Sequence, residues 1–233
     1  MKVGIITFPG SNCDYDLYKC VETATGNPEF LWHRDVHLGD VDAIMLPGGF
    51  SYGDYLRAGA IATMSPIMKS VKEFAVSGGP VLGICNGFQI LCEAGLLPGV
   101  LLRNRSLLFA SHDVLLRVEN NKTIFTSEYD AGQILRMPIA HAEGNYYASD
   151  DILEKLEKED RVLLRYADIH GEANTSANPN GSAFNIAGII NQEGNVMGMM
   201  PHPERAVEEI LGSVDGLGIF AALLAHLEPM SNT

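Results

Sequence analysis

An α/β fold with a largely parallel sheet and helices on both faces is predicted by two observations. Strand-like and helix-like segments alternate through the first hundred residues. Three of the strand segments there, 2–7, 42–46 and 80–84, are largely apolar, as expected of strands covered on both sides. Residues 2–7 (KVGIIT) read as a buried strand, and residues 12–24 as a helix ending near Gly26. Residues 29–33 and 42–46 read as two more strands, the second running into Pro47-Gly48-Gly49. Ser65-Pro66 supplies an N-cap and a first-turn proline to a helix over 67–76, which Ser77-Gly78-Gly79 stops. Residues 80–84 form a short apolar strand that breaks into Cys85-Asn86-Gly87. Phe88, Ile90, Leu91 and Ala94 then carry helical spacing up to Gly95.

The second half changes character. Strands are predicted over 114–119, 134–139, 161–166, 187–191 and 196–200 with shorter links, and residues 191–195 (NQEGN) form a hairpin turn. Residues 149–160 make a charged, exposed helix, and 216–227 an apolar one that docks on the core. Residues 171–182 are polar and rich in Gly, Asn and Pro, which predicts one long loop. No repeat or linker interrupts the chain, so residues 1–233 are expected to form one domain.

Composition narrows the function classes. Lys+Arg 16 against Asp+Glu 29 leaves a net charge of −13, which disfavours nucleic acid and membrane surfaces as partners. No apolar run approaches the roughly 18 residues needed to span a bilayer, and no signal peptide is visible, so a cytoplasmic location is expected. Cys13, Cys20, Cys85 and Cys92 show no C-x-x-C spacing, so neither a zinc site nor a disulfide framework is indicated and no metal is expected.

The sharpest chemical feature is Gly83-Ile84-Cys85-Asn86-Gly87 between a strand and a helix. A nucleophile on so tight a turn is exposed above the sheet, and the next residue's N–H points at the developing oxyanion. The helix N-terminus beside the sulfur favours thiolate. Cys92, seven residues further along, is read as a core cysteine. A cysteine nucleophile needs a base and a group that orients it. Of seven histidines, His33, His37, His112, His141, His170 and His226 sit in contexts that favour surface or packing roles. His202 differs: it lies in Met200-Pro201-His202-Pro203-Glu204, where two prolines hold the chain extended. In an extended chain Glu204 faces the same way as His202 and can orient its ring. Gly48-Gly49 after an apolar strand lets backbone N–H groups approach a ligand, as an oxyanion hole requires. Neither G-x-x-x-x-G-K-[ST] nor a G-x-G-x-x-G after the first strand occurs, so no ATP or dinucleotide site is recognisable.

Strand–Gly-x-Cys-x-Gly-x-Gln, with Gln89 four residues after Cys85, and the later His-Pro-Glu together resemble the class I (triad-type) glutamine amidotransferases. Further strings are similar to the branch of glutaminase subunits that serve phosphoribosylformylglycinamidine synthases. These include residues 47–54 (PGGFSYGD), 101–104 (LLRN), 137–144 (MPIAHAEG) and 194–205, and the likeness spans nearly the whole chain. The resemblance implies a flavodoxin-like core with an added antiparallel β extension. It implies a triad of Cys85, His202 and Glu204, oxyanion amides near Gly49-Phe50 and at Asn86, and glutamine-binding roles for Gln89, Asn104 and His141. It also implies no cofactor in this chain, with ATP and Mg on a large synthetase partner, and a small accessory subunit besides. One departure is Phe109-Ala110-Ser111-His112, where the family has a Phe-x-Cys-type sequence; no triad position is touched. Two rival readings are a cysteine peptidase or deglycase of related fold and a catalytically silent scaffold. The first lacks the paired His-Pro-Glu, and the second has no reason to keep all three triad residues.

Overall fold

The computed structural model describes residues 1–24 and 26–228. The first half keeps the predicted alternation: β1 (Lys2–Thr7), α1 (Asp14–Thr23), β2 (Asn27–Trp32), β3 (Ala43–Leu46), α2 (Ile67–Val76), β4 (Val81–Ile84) and α3 (Asn86–Glu93). The second half adds β5 (Val100–Leu102), β6 (Ala110–Val118), β7 (Ile134–His141), β8 (Asn145–Tyr147), α4 (Asp150–Lys158) and β9 (Val162–Ala167). It ends with β10 (Ile186–Ile190), β11 (Val196–Met199) and α5 (Leu217–Leu227).

Nine strands form one sheet in the order β2-β1-β3-β4-β11-β10-β9-β6-β7. The first five run parallel, and every pairing from β11–β10 onward is antiparallel. The 2-1-3-4 start is the flavodoxin-like order, and the antiparallel strands are the extension expected beside it. From β1 the chain crosses to β2 on one side through α1, whereas the β3-to-β4 crossover through α2 advances the other way. Right-handed crossovers therefore put α1 and α2 on opposite faces. Strands β3, β4, β10 and β11 are buried at every position, which explains why they read as unbroken apolar runs. Helix α5 packs beside α1 and buries Ile219, Phe220, Leu223 and Leu224, each worth about 1.5–3 kcal/mol relative to exposure.

Three local expectations change. Ser65 does not cap α2: its hydroxyl bonds the Tyr52 hydroxyl at 3.0 Å, and Pro66 already has helical angles (φ −50°, ψ −42°). Strand β6 begins at Ala110 rather than 114, because its first four residues pair with β7 while remaining largely exposed. The short pair β5–β8 forms a separate antiparallel sheet that sequence reading does not find. Residues 171–182 do form a loop, interrupted by a single 3-10 turn at Thr175–Ala177 whose Asn174 side chain accepts from Ala177 N.

Candidate active site

The turn from β4 into α3 forces Cys85 to φ +50°, ψ −104°, a conformation that L-residues rarely adopt. Two glycines permit it by close approach. A Cβ on Gly87 would lie 2.0 Å from the Leu46 carbonyl oxygen, and one on Gly83 would lie 2.7 Å from the Gly87 carbonyl. Cys85 N–H donates to Met199 O at 2.7 Å, tying the turn to the end of β11. The thiol is 4 % exposed and donates to Ala140 O at 3.7 Å.

Strands β4 and β11 are parallel neighbours in register, Ile84 beside Met199, so the chain leaves both strands at the same edge. Beyond β11 it runs through Met200 into Pro201-His202-Pro203-Glu204. His202 N–H donates to Pro138 O at 2.9 Å, and its ring Nδ1–H donates to Glu204 Oε1 at 2.6 Å. The local conformation departs from the extended one predicted, because residues Pro203–Arg205 form a 3-10 turn. Proline at its first position has its φ preset for that turn, and the turn, rather than an extended strand, brings carboxylate to imidazole.

Both His202 and Glu204 are buried, at 1 % and 3 % exposure. Burial alone pushes the imidazole pKa down. The Glu204 carboxylate and the Cys85 and Cys13 sulfurs outweigh it and hold the imidazolium well above its ordinary range. Cys85 lies within electrostatic reach of the ring, yet Nε2 makes no aligned hydrogen bond in this state. Such bonds commonly tighten only with substrate present.

The ring faces a pocket of about 180 Å³ whose walls include Cys13, Gly49, Phe50, Phe109, Ala140 and Arg205. Phe50 and Phe109 stack with centroids 6.4 Å apart, so the departing Phe109-Ala110-Ser111-His112 segment supplies one wall. Of the three amides implied for an oxyanion hole, that of Phe50 is taken: it donates to Gly10 O at 2.9 Å. The N–H groups of Gly49 and Asn86 are spent on no acceptor among the described residues. Gly49 holds φ +144°, and a Cβ there would lie 2.8 Å from Asn12 N.

Gln89, Asn104 and His141 come together behind this pocket. Gln89 Nε2 donates to Glu143 O at 2.7 Å, and its Oε1 accepts from Asn86 Nδ2 at 2.8 Å. Asn104 Oδ1 accepts from His141 Nδ1 at 3.1 Å and from Gly144 N at 3.0 Å. Burial, then the charge of His202, lowers the His141 pKa to about 4, so the ring is neutral. All three side chains thus spend their polar atoms within the protein, with Asn86, Leu108 and Asn180 supplying the partners that the 141–144 segment does not. Sequence reading missed Cys13, whose sulfur accepts from Arg205 Nη2 at 3.0 Å, and Asn180, which reaches His141 Nε2 at 3.5 Å. No spacing signal marks either residue, because both are placed by contacts distant in the chain.

Residues 1–215 match the CobB/CobQ-like glutamine amidotransferase domain. The chain belongs to that family. It is 54% identical over 227 residues to a protein named phosphoribosylformylglycinamidine synthase subunit PurQ from Salinibacter ruber, with 97% of each chain covered. It is 57% identical over 228 residues to a protein of the same name from Chlorobaculum tepidum, again with 97% of each covered. A chain in the structure of PurLQS from Thermotoga maritima superposes with TM-score 0.87 and 44% identity, covering 97% of this chain and 99% of that one. A glutamine amidotransferase from Thermotoga maritima at 15% identity and TM-score 0.58 shares the fold.

Proposed function

We propose that this glutamine amidotransferase is the glutaminase subunit of a phosphoribosylformylglycinamidine synthase. The observation that carries the reading is the meeting of two adjacent strand ends: β4 delivers Cys85 on a strained elbow, and β11 delivers the buried His202–Glu204 pair beside it. The Cys85 thiolate attacks the side-chain amide carbon of glutamine, and the Gly49 and Asn86 amides receive the oxyanion. His202, oriented by Glu204, protonates the departing ammonia and then activates the water that releases glutamate from the thioester. Phe50 contributes its ring to the pocket wall. Gln89, Asn104 and His141 act by fixing the segment against which the glutamine chain lies.

The chain carries no cofactor in this scheme. ATP and Mg belong to the large synthetase subunit, which turns formylglycinamide ribonucleotide into its amidine with the ammonia delivered through a channel. A small accessory subunit completes the complex, and the reaction belongs to the cytoplasm. Relatives above 50% identity that bear this enzyme's name over nearly full length support the assignment. So does the likeness to a chain of PurLQS. Residues 1–233 act as one unit, a reading supported by the unbroken nine-stranded sheet. No helix among the described residues is long and apolar enough to cross a membrane.

The test is glutamate release from glutamine by the purified chain, alone and with synthetase, formylglycinamide ribonucleotide and ATP. The rate is expected to rise on adding the partner and its ligands, and to vanish in Cys85→Ala. No glutamate under any condition would sink the assignment.

A further inference from the structure

Outside the hydrolytic machinery, one side chain in this region has no part in the scheme. Cys13 precedes α1, is buried, and points its sulfur toward the His202–Glu204 pair. Suitable ligand atoms of Cys13, His202 and Glu204 all lie within 4.8 Å of one another. Two buried atoms of that group, His202 Nε2 and Glu204 Oε2, take no hydrogen bond. We propose that Cys13, His202 and Glu204 form a binding site for a thiophilic divalent cation, Zn2+ above all, whose occupancy shuts off the hydrolytic site.

The chemistry of the donor set is that of zinc: one thiolate, one imidazole and one carboxylate, with a fourth position left to water. Tetrahedral zinc with bonds of about 2.0–2.3 Å holds its ligand atoms roughly 3.3–3.8 Å apart. Atoms already within 4.8 Å therefore need to close by about 1 Å. Charge balances as well. Zn2+ displaces two protons to solvent, one from the Cys13 thiol and one from the His202 imidazolium, so the dication faces one thiolate, one neutral imidazole and one carboxylate with no change of oxidation state. The neighbouring Arg205 guanidinium donates through Nη2 to the Cys13 sulfur at 3.0 Å, a bond the metal must displace or share, and keeps Asp16 as its own counter-ion through Nε at 3.1 Å. Pockets flank the group on two sides: one of about 180 Å³ is lined by Cys13 and His202, and one of about 340 Å³ is lined by Glu204, with Asp16 and Glu208 on its walls to attract a hydrated cation.

Either ring nitrogen that binds the metal costs the base. Nε2 is the one free to serve Cys85, and Nδ1 is the one Glu204 holds. The inhibitory part of the proposal rests on the triad proposed above; the binding part does not. Magnesium, which avoids thiolate and imidazole, should not compete.

Calorimetric titration of Zn2+ into Cys85→Ala separates the two parts, since the nucleophile is then unavailable as a ligand. One equivalent is expected to bind, and adding Cys13→Ala or Cys13→Ser should weaken it at least tenfold with the circular dichroism spectrum unchanged. In a glutaminase assay with Cys85 intact, micromolar Zn2+ should inhibit reversibly to a chelator, and Cys13→Ser should raise the half-inhibiting concentration at least tenfold. Loss of Zn2+ binding in Cys85→Ala, or full retention after both Cys13 substitutions, would overturn the site.

Discussion

At the scale of single residues, the region is dominated by polar groups kept where water cannot reach them. His202 and Glu204 share one 2.6 Å bond, and the charge they exchange is what keeps a buried imidazolium favourable. Asp54 is the opposite case. Its Oδ1 is buried without a partner, and burial first, then the charge of Glu143, raise its carboxyl pKa to about 6. An aspartate in the unfolded chain ionises near pH 4, so the folded state binds the proton more tightly. Asp54 therefore costs no stability below about pH 4; the penalty grows between pH 4 and 6 and is complete above that. Asp54→Asn keeps the shape and tolerates the φ of +55° at this position. The melting temperature of that variant should exceed the parent's at pH 8 by roughly 2–4 °C, corresponding to about 1 kcal/mol after solvent screening. The gap should close by pH 4; equal melting temperatures at both pH values would remove the assigned penalty. Asp54 closes the glycine-rich 47–54 string, but its burial is not legible there. Glu143, whose charge acts on it, lies in a distant part of the chain.

At the scale of elements, close approach of α3 to the sheet is what makes the elbow. Gly87→Ala puts a methyl group 2.0 Å from the Leu46 carbonyl, a backbone atom that cannot swing aside. The expected cost is about 1–3 kcal/mol or more in denaturant unfolding, together with loss of glutaminase activity. Gly78→Ala is the control: no atom lies within 4 Å of its Cβ, so only the strain of φ +95° is felt. Equal midpoints for the two variants would show that helix–strand contact is not what Gly87 secures. The elbow was legible because an apolar strand, a small-residue turn and helical spacing succeed one another within about a dozen positions of the chain. The 3-10 turn at Pro203–Arg205 was not, because a histidine between two prolines fits an extended segment and a helical first turn equally well. Three-residue strands such as β5 and β8 carry too few positions for any period to show.

At the scale of the whole molecule, two styles of sheet meet at β11, parallel on one side and antiparallel on the other. One continuous ladder predicts one cooperative transition. Trp32, the single tryptophan, lies on β2 at the parallel edge, far across the sheet from β6 and β7. Urea unfolding monitored by its fluorescence should coincide with unfolding monitored by far-ultraviolet circular dichroism; separated midpoints would mean that the halves fold apart. The parallel half was readable because β3, β4 and β11 are apolar runs buried at every position and β1 is nearly so. The order of the antiparallel strands was not, since it is set by pairings between segments with no local signal, such as β6 with β9. The position of β11 also bears on how the protein is made. A ribosome releases β4 more than a hundred residues before its neighbour β11, so the emerging chain holds an unpaired strand edge beside a thiol with no base. On the proposed triad, a growing polypeptide cannot consume glutamine before His202 and Glu204 emerge, and during that interval β4 is the segment most in need of a chaperone.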